Sequence, residues 1–493
     1  MSIKRFLFLI RKTLSTKTYP NGACFDKNKR KSRYWHKNGC FISFSRPYGE
    51  WYDLAIKRET KGELNMKLKN AWLAAIGTAV CLTMGGCSDS SQSGKREIEI
   101  LNYKPEAIDT MQKIEDRFNE THDDIHLTIS SPNQAMTILK TRLIREDAPD
   151  IVGIGGDINY SNFLDADLFE DISDVEAVSQ AKEGYMDIEK SLELVEKEGT
   201  YALPFAANAA GILYNVDMFE EHGWQIPETW DEFIALCKTI QSEGITPLYF
   251  GFKDTWTTLA PWNALAVENA EADVCTQVSE GNTTFEAEYK EVADKMKEML
   301  EYCEPNPFAY SYNDAAIAFA NGQAAMWPIG SYAIPQIHSN NPDLNIGSMV
   351  FPGTDNADDR ILNSGVDLQF SIMKDCPDKE AAKEVMNFLY SDEILDLYLE
   401  EQGGVSAKKG DFETPENLNG MREFIESGNV ADFHDHHYPS EMAVDALIQT
   451  YLLDDSDQAA TTFLQKFDKD WQRYNRELIR RLKEENAGNE SGS

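Results

Sequence analysis

Between residues 97 and 157 the sequence alternates between two hydrophobic periods, and few folds accommodate that. "EIEILNY" (97–103) and "IHLTIS" (125–130) read as strands, whereas Ile108, Met111, Ile114 and Phe118 recur at helical spacing with the polar Glu115 at the edge of their side. "NQAMTILKTRLI" reads as a second helix closed by "REDAPD", and "IVGIGG" as a short apolar strand running into Asp157. Strand, helix, strand, helix, strand predicts a mostly parallel sheet with helices on its faces.

A second α/β region follows. In "PETWDEFIALCKTI", Thr229 is placed to cap a helix and Glu232 to complete a capping box, while Phe233, Leu236, Cys237 and Ile240 share one side. Residues 256–332 read as mostly helical, with aromatic residues at the breaks. "GVDLQFSIM" (365–373) returns to strand before the helix "DKEAAKEVMNFLY", and 441–485 is a run of polar-faced helices. No internal repeat or long linker interrupts this order.

The N-terminal part has a different character. In "LTMGGCSDSSQSG" (82–94) an apolar run ends in two glycines and Cys87, then turns small and polar. Upstream stand Met66, the basic Lys67 and Lys69, and "AWLAAIGTAVCLTM", shorter than the roughly 20 residues a spanning helix needs. The arrangement resembles a bacterial lipoprotein signal peptide over 66–86, with Met84 where leucine is usual. Cys87 is then the lipid attachment site and 87–96 a tether; the alternative is an ordinary buried cysteine. Residues 1–65 carry 15 Lys/Arg and no sustained period. They read as upstream leader with Met66 as the true start, since "KGE" just before it is encodable by a purine-rich ribosome-binding sequence; the alternative is a genuine basic arm.

Beyond residue 86 the chain holds 30 Lys/Arg against 78 Asp/Glu. Nucleic acid is therefore not an expected partner, because binding the phosphate backbone needs a positive field. A neutral ligand suits this chain better than an anionic one. The roughly 407 residues from Cys87 onward are enough for two or more cores. Their remaining cysteines, Cys237, Cys275, Cys303 and Cys376, are too widely spaced for a metal framework, although Cys275 and Cys303 could pair.

Four stretches in order, "LKTRLIREDAPDIV" (139–152), "YALPFAANAAGILYNVDMFEEHGWQIPETWDEF" (201–233), "FANGQAAMWPIGSY" (319–332) and "GGVSAKKG" (403–410), resemble the carbohydrate-binding (family 1) extracellular solute-binding proteins of bacterial ABC importers. The resemblance covers roughly residues 97–485. It implies an α/β, two-lobed periplasmic-binding-protein-like fold of type II, with discontinuous lobes around a hinged ligand cleft. Crossings are expected near 204–210 and 362–368. One lobe would take 97–204 plus 368–415 and the other 210–362, with C-terminal helices over 416–485 packing on the lobes.

Sugars offer apolar CH faces and rings of hydroxyls, so a site needs aromatic platforms and multidirectional hydrogen-bonding groups. Trp256, Trp262 and Trp327 stand beside helix breaks where an indole could face a cleft or fill a core, and Tyr332 closes "WPIGSY". Trp224 and Trp230 are assigned to packing. Polar candidates follow strand ends or sit at crossings: Glu106, Asn133, Asp157, Asn208 and Asp367. The resemblance supports Asp157, Trp256 and Trp327. "DFHDHH" (432–437) is read as a cleft-lining loop, a weak metal cluster or ordinary surface.

The expected function is capture of a neutral extracellular oligosaccharide and its delivery to an ABC permease without chemical change. The expected place is the extracellular face of the cell membrane, held by the N-terminal lipid. A monomer is expected, with no cofactor, metal or nucleic acid. The competing readings are a secreted glycoside-acting enzyme using paired carboxylates and a surface adhesin.

Overall fold

The computed structural model describes residues 94–490. The leader over 1–65, the signal peptide over 66–86, the lipid attachment at Cys87 and most of the tether lie outside the described residues.

In chain order the strands are β1 (Arg96–Asn102), β2 (Ile125–Ser130), β3 (Ile151–Ile154), β4 (Leu203–Ala207), β5 (Ala210–Asn215), β6 (Thr246–Leu248), β7 (Ala324–Gly330), β8 (Ile346–Met349), β9 (Leu362–Asn363), β10 (Val366–Ile372), β11 (Val405–Ser406) and β12 (Val430–Ala431). One sheet runs β11-β4-β10-β3-β1-β2; the other runs β12-β9-β5-β7-β6, with β8 also paired to β5. The alternating 97–157 segment builds the parallel part of the first sheet, with Ile98 opposite Leu127 and Leu101 opposite Val152. β10 joins antiparallel to β3 and β4, because the chain enters it from the second sheet. The result is two α/β lobes with mixed sheets flanked by helices.

The helix Ile108–Thr121 buries Met111, Ile114 and Phe118, but Ile108 is 54% exposed. It opens the first turn behind the short 3-10 turn Pro105–Ala107, and the fully buried Ala107 takes the inward place. In the helix Trp230–Ser242, Thr229 caps by accepting from the Glu232 amide at 3.3 Å. The Glu232 carboxylate reaches the amide of Glu228, not that of Thr229. A closed capping box occurs instead at Ser311 and Asp314, ahead of the helix Tyr312–Ala320. The four cysteines among the described residues are free.

Two short passages join the lobes. Asn208 and Ala209 link β4 to β5, and Ser364 and Gly365 link β9 to β10. They are bonded to each other: the Asn208 amide donates to the Gly365 carbonyl at 3.1 Å, and Ser364 Oγ donates to the Asn208 carbonyl at 2.5 Å. After β11 the chain leaves the first sheet once more. The 3-10 turn Glu416–Met421 then packs on β8, and β12 pairs with β9.

The C-terminal segment is fastened to the second lobe by a buried chain of donors. Trp262 Nε1 donates to the Tyr438 hydroxyl (3.4 Å), which donates to that of Tyr289 (2.8 Å), which bonds His434 Nδ1 (2.9 Å). Burial, with His437 nearby, holds His434 down at about 3, so its ring is neutral and Nδ1 accepts. Below the ordinary imidazole value of 6.5 the unfolded chain takes up a proton that the folded one refuses, so this residue costs stability as pH falls from 6.5 toward 3. His434→Phe strands the Tyr289 hydroxyl and should lower stability at pH 7 by about 1–3 kcal/mol. Denaturant titrations at pH 7 and pH 5 should also show a smaller loss on acidification in the variant than in the parent.

Candidate binding site

The first lobe contributes a polar wall from the chain positions just past β1 and β3 and at the start of β10. Lys104 Nζ lies 2.5 Å from Asp367 Oδ2 and 3.5 Å from Glu106 Oε1. Tyr103 donates its hydroxyl to the Asp367 carbonyl. Burial raises Tyr103 well above the usual phenol value, with the charges of Asp367, Asp157 and Glu106 adding to the effect. Asp157 caps the helix Ile158–Asp165, accepting from the Asn159 amide at 2.7 Å. Glu106 stands at the rim with its side chain 62% exposed. Asn133 is exposed in the turn before the helix Ala135–Ile144.

The second lobe contributes rings. Trp256 sits in the 3-10 turn Thr255–Thr258, 41% exposed, with the Tyr312 ring centroid 5.0 Å away and that of Tyr332 at 6.2 Å. The helix start that presents Tyr312 is fixed by its capping box and by the Tyr312 amide donating to Asp254 Oδ2 at 2.9 Å. Burial pushes the Tyr312 hydroxyl up to about 12. Tyr332 keeps 39% of its surface open, yet burial still drives its hydroxyl above the ordinary range. Surface reachable by water but crowded by protein is what a concave wall provides. The ring folds over Gly330, where a Cβ would come within 2.3 Å of it, so any larger residue there would displace the Tyr332 ring.

Two of the candidate indoles lie elsewhere. Trp327 is fully enclosed in β7, its ring 5.6 Å from Tyr312 and 6.2 Å from Phe319. It stands one ring behind the exposed face and supports Tyr312. Trp262 is equally enclosed, packed against Tyr289 and Phe463, with its nitrogen committed to Tyr438. Neither offers a ring face to a ligand in this structure. A helix break beside an indole is compatible with both burial and exposure, which is why sequence spacing did not separate them from Trp256. Asn208 spends its side-chain oxygen on the Gly365 amide at 3.3 Å and ties the two crossings together.

The loop 432–438 completes the site. His436 Nδ1 bonds Asp432 Oδ1 at 2.8 Å, and His437 Nε2 lies 3.4 Å from Asp432 Oδ2. Burial opposes charge on His436, but Asp432, reinforced by Asp435 and Asp157, holds its value up at about 10. For Asp432 burial is likewise outweighed by the two histidines, which keep it ionised down to about 2. Asp435 exchanges two hydrogen bonds with the buried Asn263, accepting from its amide at 2.7 Å and donating its own backbone N–H at 3.1 Å. Burial raises the Asp435 carboxyl. The loop is thus bonded to Asn263 of the second lobe, and its Phe433 and His436 pack against Gly365 of a crossing. His436 Nε2 makes no hydrogen bond among the described residues. The cluster is an ion-pair network: no group of three or more His, Cys, Asp or Glu is arranged to hold a metal ion among the described residues.

A cluster of partly exposed rings in one lobe and hydrogen-bonding groups of both signs in the other are the residue types that suit an uncharged ligand with alternating apolar faces and hydroxyls. Sequence reading missed Tyr103, Lys104 and Tyr312 and left Asp435 and His436 undecided. The Ser311/Asp314 box was the available signal for Tyr312, whereas the role of the loop depends on Asn263, far away in the chain.

Comparison with known proteins adds a family to this geometry. The chain is 29% identical over 356 residues to the multiple sugar-binding protein of Streptococcus mutans, covering 69% of this chain and 83% of that protein. It superposes on the apo form of RafE from Streptococcus pneumoniae with a TM-score of 0.69 at 26% identity, over 77% of this chain and 98% of that one. Against RafE in complex with raffinose the TM-score is 0.64, again at 26% identity, over 76% and 99% of the two chains. Residues 104–395 match the family described as bacterial extracellular solute-binding protein, and the chain belongs to that family.

Proposed function

We propose that this chain captures a neutral extracellular oligosaccharide of the raffinose kind and passes it unaltered to an ABC permease. The observations that support this reading are the exposed Trp256 with Tyr312 and Tyr332 beside it in the second lobe, and the polar group of Lys104, Asp367 and Asp157 at the strand ends of the first. An indole stacks on a sugar's CH face without demanding one hydroxyl pattern, and charged groups fix the hydroxyls. The names of the relatives point to the same ligand class. The N-terminal pattern ending at Cys87 supports anchoring by lipid on the extracellular face. Among the described residues no helix is long and apolar enough to cross a membrane. The strand crossings support domain limits near 208 and 364, and the shared core supports assigning the segment from 416 onward to the second lobe.

A ligand that touches both walls favours closure by its extra contacts. Small-angle scattering should show a smaller radius of gyration under saturating raffinose, and an unchanged radius would count against closure.

Stacking and packing are separable by mutation. Trp256→Ala should weaken raffinose binding in calorimetry by about 1.5–3 kcal/mol, about 10- to 150-fold, with little change in melting temperature. Trp327→Ala removes a core ring and should cost about 3–5 kcal/mol of folding stability. Incubation that yielded shortened sugars would favour the enzyme reading instead. Cys87→Ser should abolish metabolic lipid labelling and release the protein from membranes while leaving sugar binding intact; full labelling of the variant would refute the anchor.

A further inference from the structure

Trp256 stands out of a turn whose other side chains are committed to holding it. In the turn Thr255–Thr258, Thr257 and Thr258 are buried beside the exposed indole. Thr257 Oγ1 donates to the Asp254 carbonyl at 2.8 Å, and Thr258 Oγ1 to that of Thr255 at 2.8 Å. Further restraints come from far along the chain. Thr255 Oγ1 donates to Asp445 Oδ2, Thr258 Oγ1 reaches the Asp445 carbonyl at 3.3 Å, and Gln449 Nε2 donates to the Phe252 carbonyl at 2.6 Å. Asp445 and Gln449 lie one helical turn apart on the helix Val444–Leu452, so one face of it grips both the turn and the loop leading into it. That helix is itself fixed. Val444, Ile448, Tyr451 and Leu452 are buried in the second lobe's core, the Tyr451 hydroxyl donates to the Ala293 carbonyl at 2.8 Å, and Lys297 Nζ donates to the Leu452 carbonyl at 2.8 Å.

We propose that the C-terminal helix Val444–Leu452 is a buttress for sugar binding, with Asp445 the positioning residue that holds Trp256 in place through Thr255. A ring already in place when the ligand arrives loses little freedom on binding, whereas a ring on a loosened turn must first be ordered. A carboxylate suits the task, because a hydrogen bond to an ionised acceptor is roughly twice as strong as one between neutral groups. Its place in the first turn of the helix is also where the helix dipole favours negative charge. The role is indirect: Asp445 acts through Thr255 on the backbone that carries the indole.

The effect on affinity rests on the sugar-stacking reading of Trp256; the effect on the turn does not. Thr255→Val and Asp445→Ala remove the bond from its two ends, so failure of one variant to fold leaves the other. Each should weaken raffinose binding about fivefold in calorimetry, the scale of one net hydrogen bond. The double variant should bind no more weakly than the worse single one, because both remove the same bond. Asp445→Asn keeps an acceptor oxygen and should stay closer to the parent than Asp445→Ala. In the sugar-free protein, amide hydrogen exchange should quicken in both single variants over residues 255–258 and not over the distant β2. Raffinose affinity within about twofold of the parent in both single variants, or losses that add in the double variant, overturns the buttress. If the parent itself binds no raffinose, the functional reading fails, and exchange over the turn still decides the positioning: rates equal to the parent's in both variants overturn it.

Discussion

Much of this structure depends on how narrowly the two lobes are joined near the cleft. Two residues carry each of the β4–β5 and β9–β10 crossings, and the Asn208 amide, the Gly365 carbonyl and Ser364 Oγ bond the two strands to each other. Paired strands resist shear, so the lobes keep their register, while the shortness of each passage leaves rotation as the soft coordinate. Gly365 is also where the ligand loop rests. A Cβ there would come within 2.7 Å of His436 Cε1 and Phe433 Cδ2 and 2.9 Å of Asp432 Oδ1. Hinge and loop therefore share a surface, and movement of one is felt by the other.

Charge in the cleft is organised by a single buried carboxylate. Asp432 fixes both neighbouring histidines and keeps His436 cationic at neutral pH. A strongly acidic chain can thus offer a cleft containing both donors and acceptors, which overall charge does not reveal.

The fold class was legible because the alternation over 97–157 has few solutions, and because helix starts such as Thr229 carry local signals. The reach of local rules is short, however. Ile108 fits the apolar side of its helix by spacing but lies outside it, since the chain enters through a 3-10 turn. Trp256, Trp262 and Trp327 look alike in sequence, yet Trp262 and Trp327 are fully enclosed while Trp256 is 41% exposed. Their fates are decided by distant partners: Tyr438 for Trp262, and the sheet with Tyr312 for Trp327. The same holds for "DFHDHH", whose ion pair is local but whose place is set by Asn263, far away in the chain.

The uneven burial of the indoles has an optical consequence. Among the described residues Trp224, Trp230, Trp262, Trp327 and Trp471 are all exposed by 9% or less, whereas Trp256 is 41% exposed. Steady emission from the enclosed rings forms a background insensitive to soluble quenchers. The quencher-accessible, red-shifted fraction from this part of the chain belongs to one side chain, and that side chain stands at the face proposed to stack on the sugar. The folded domain therefore carries its own fluorescent reporter of what occupies that face.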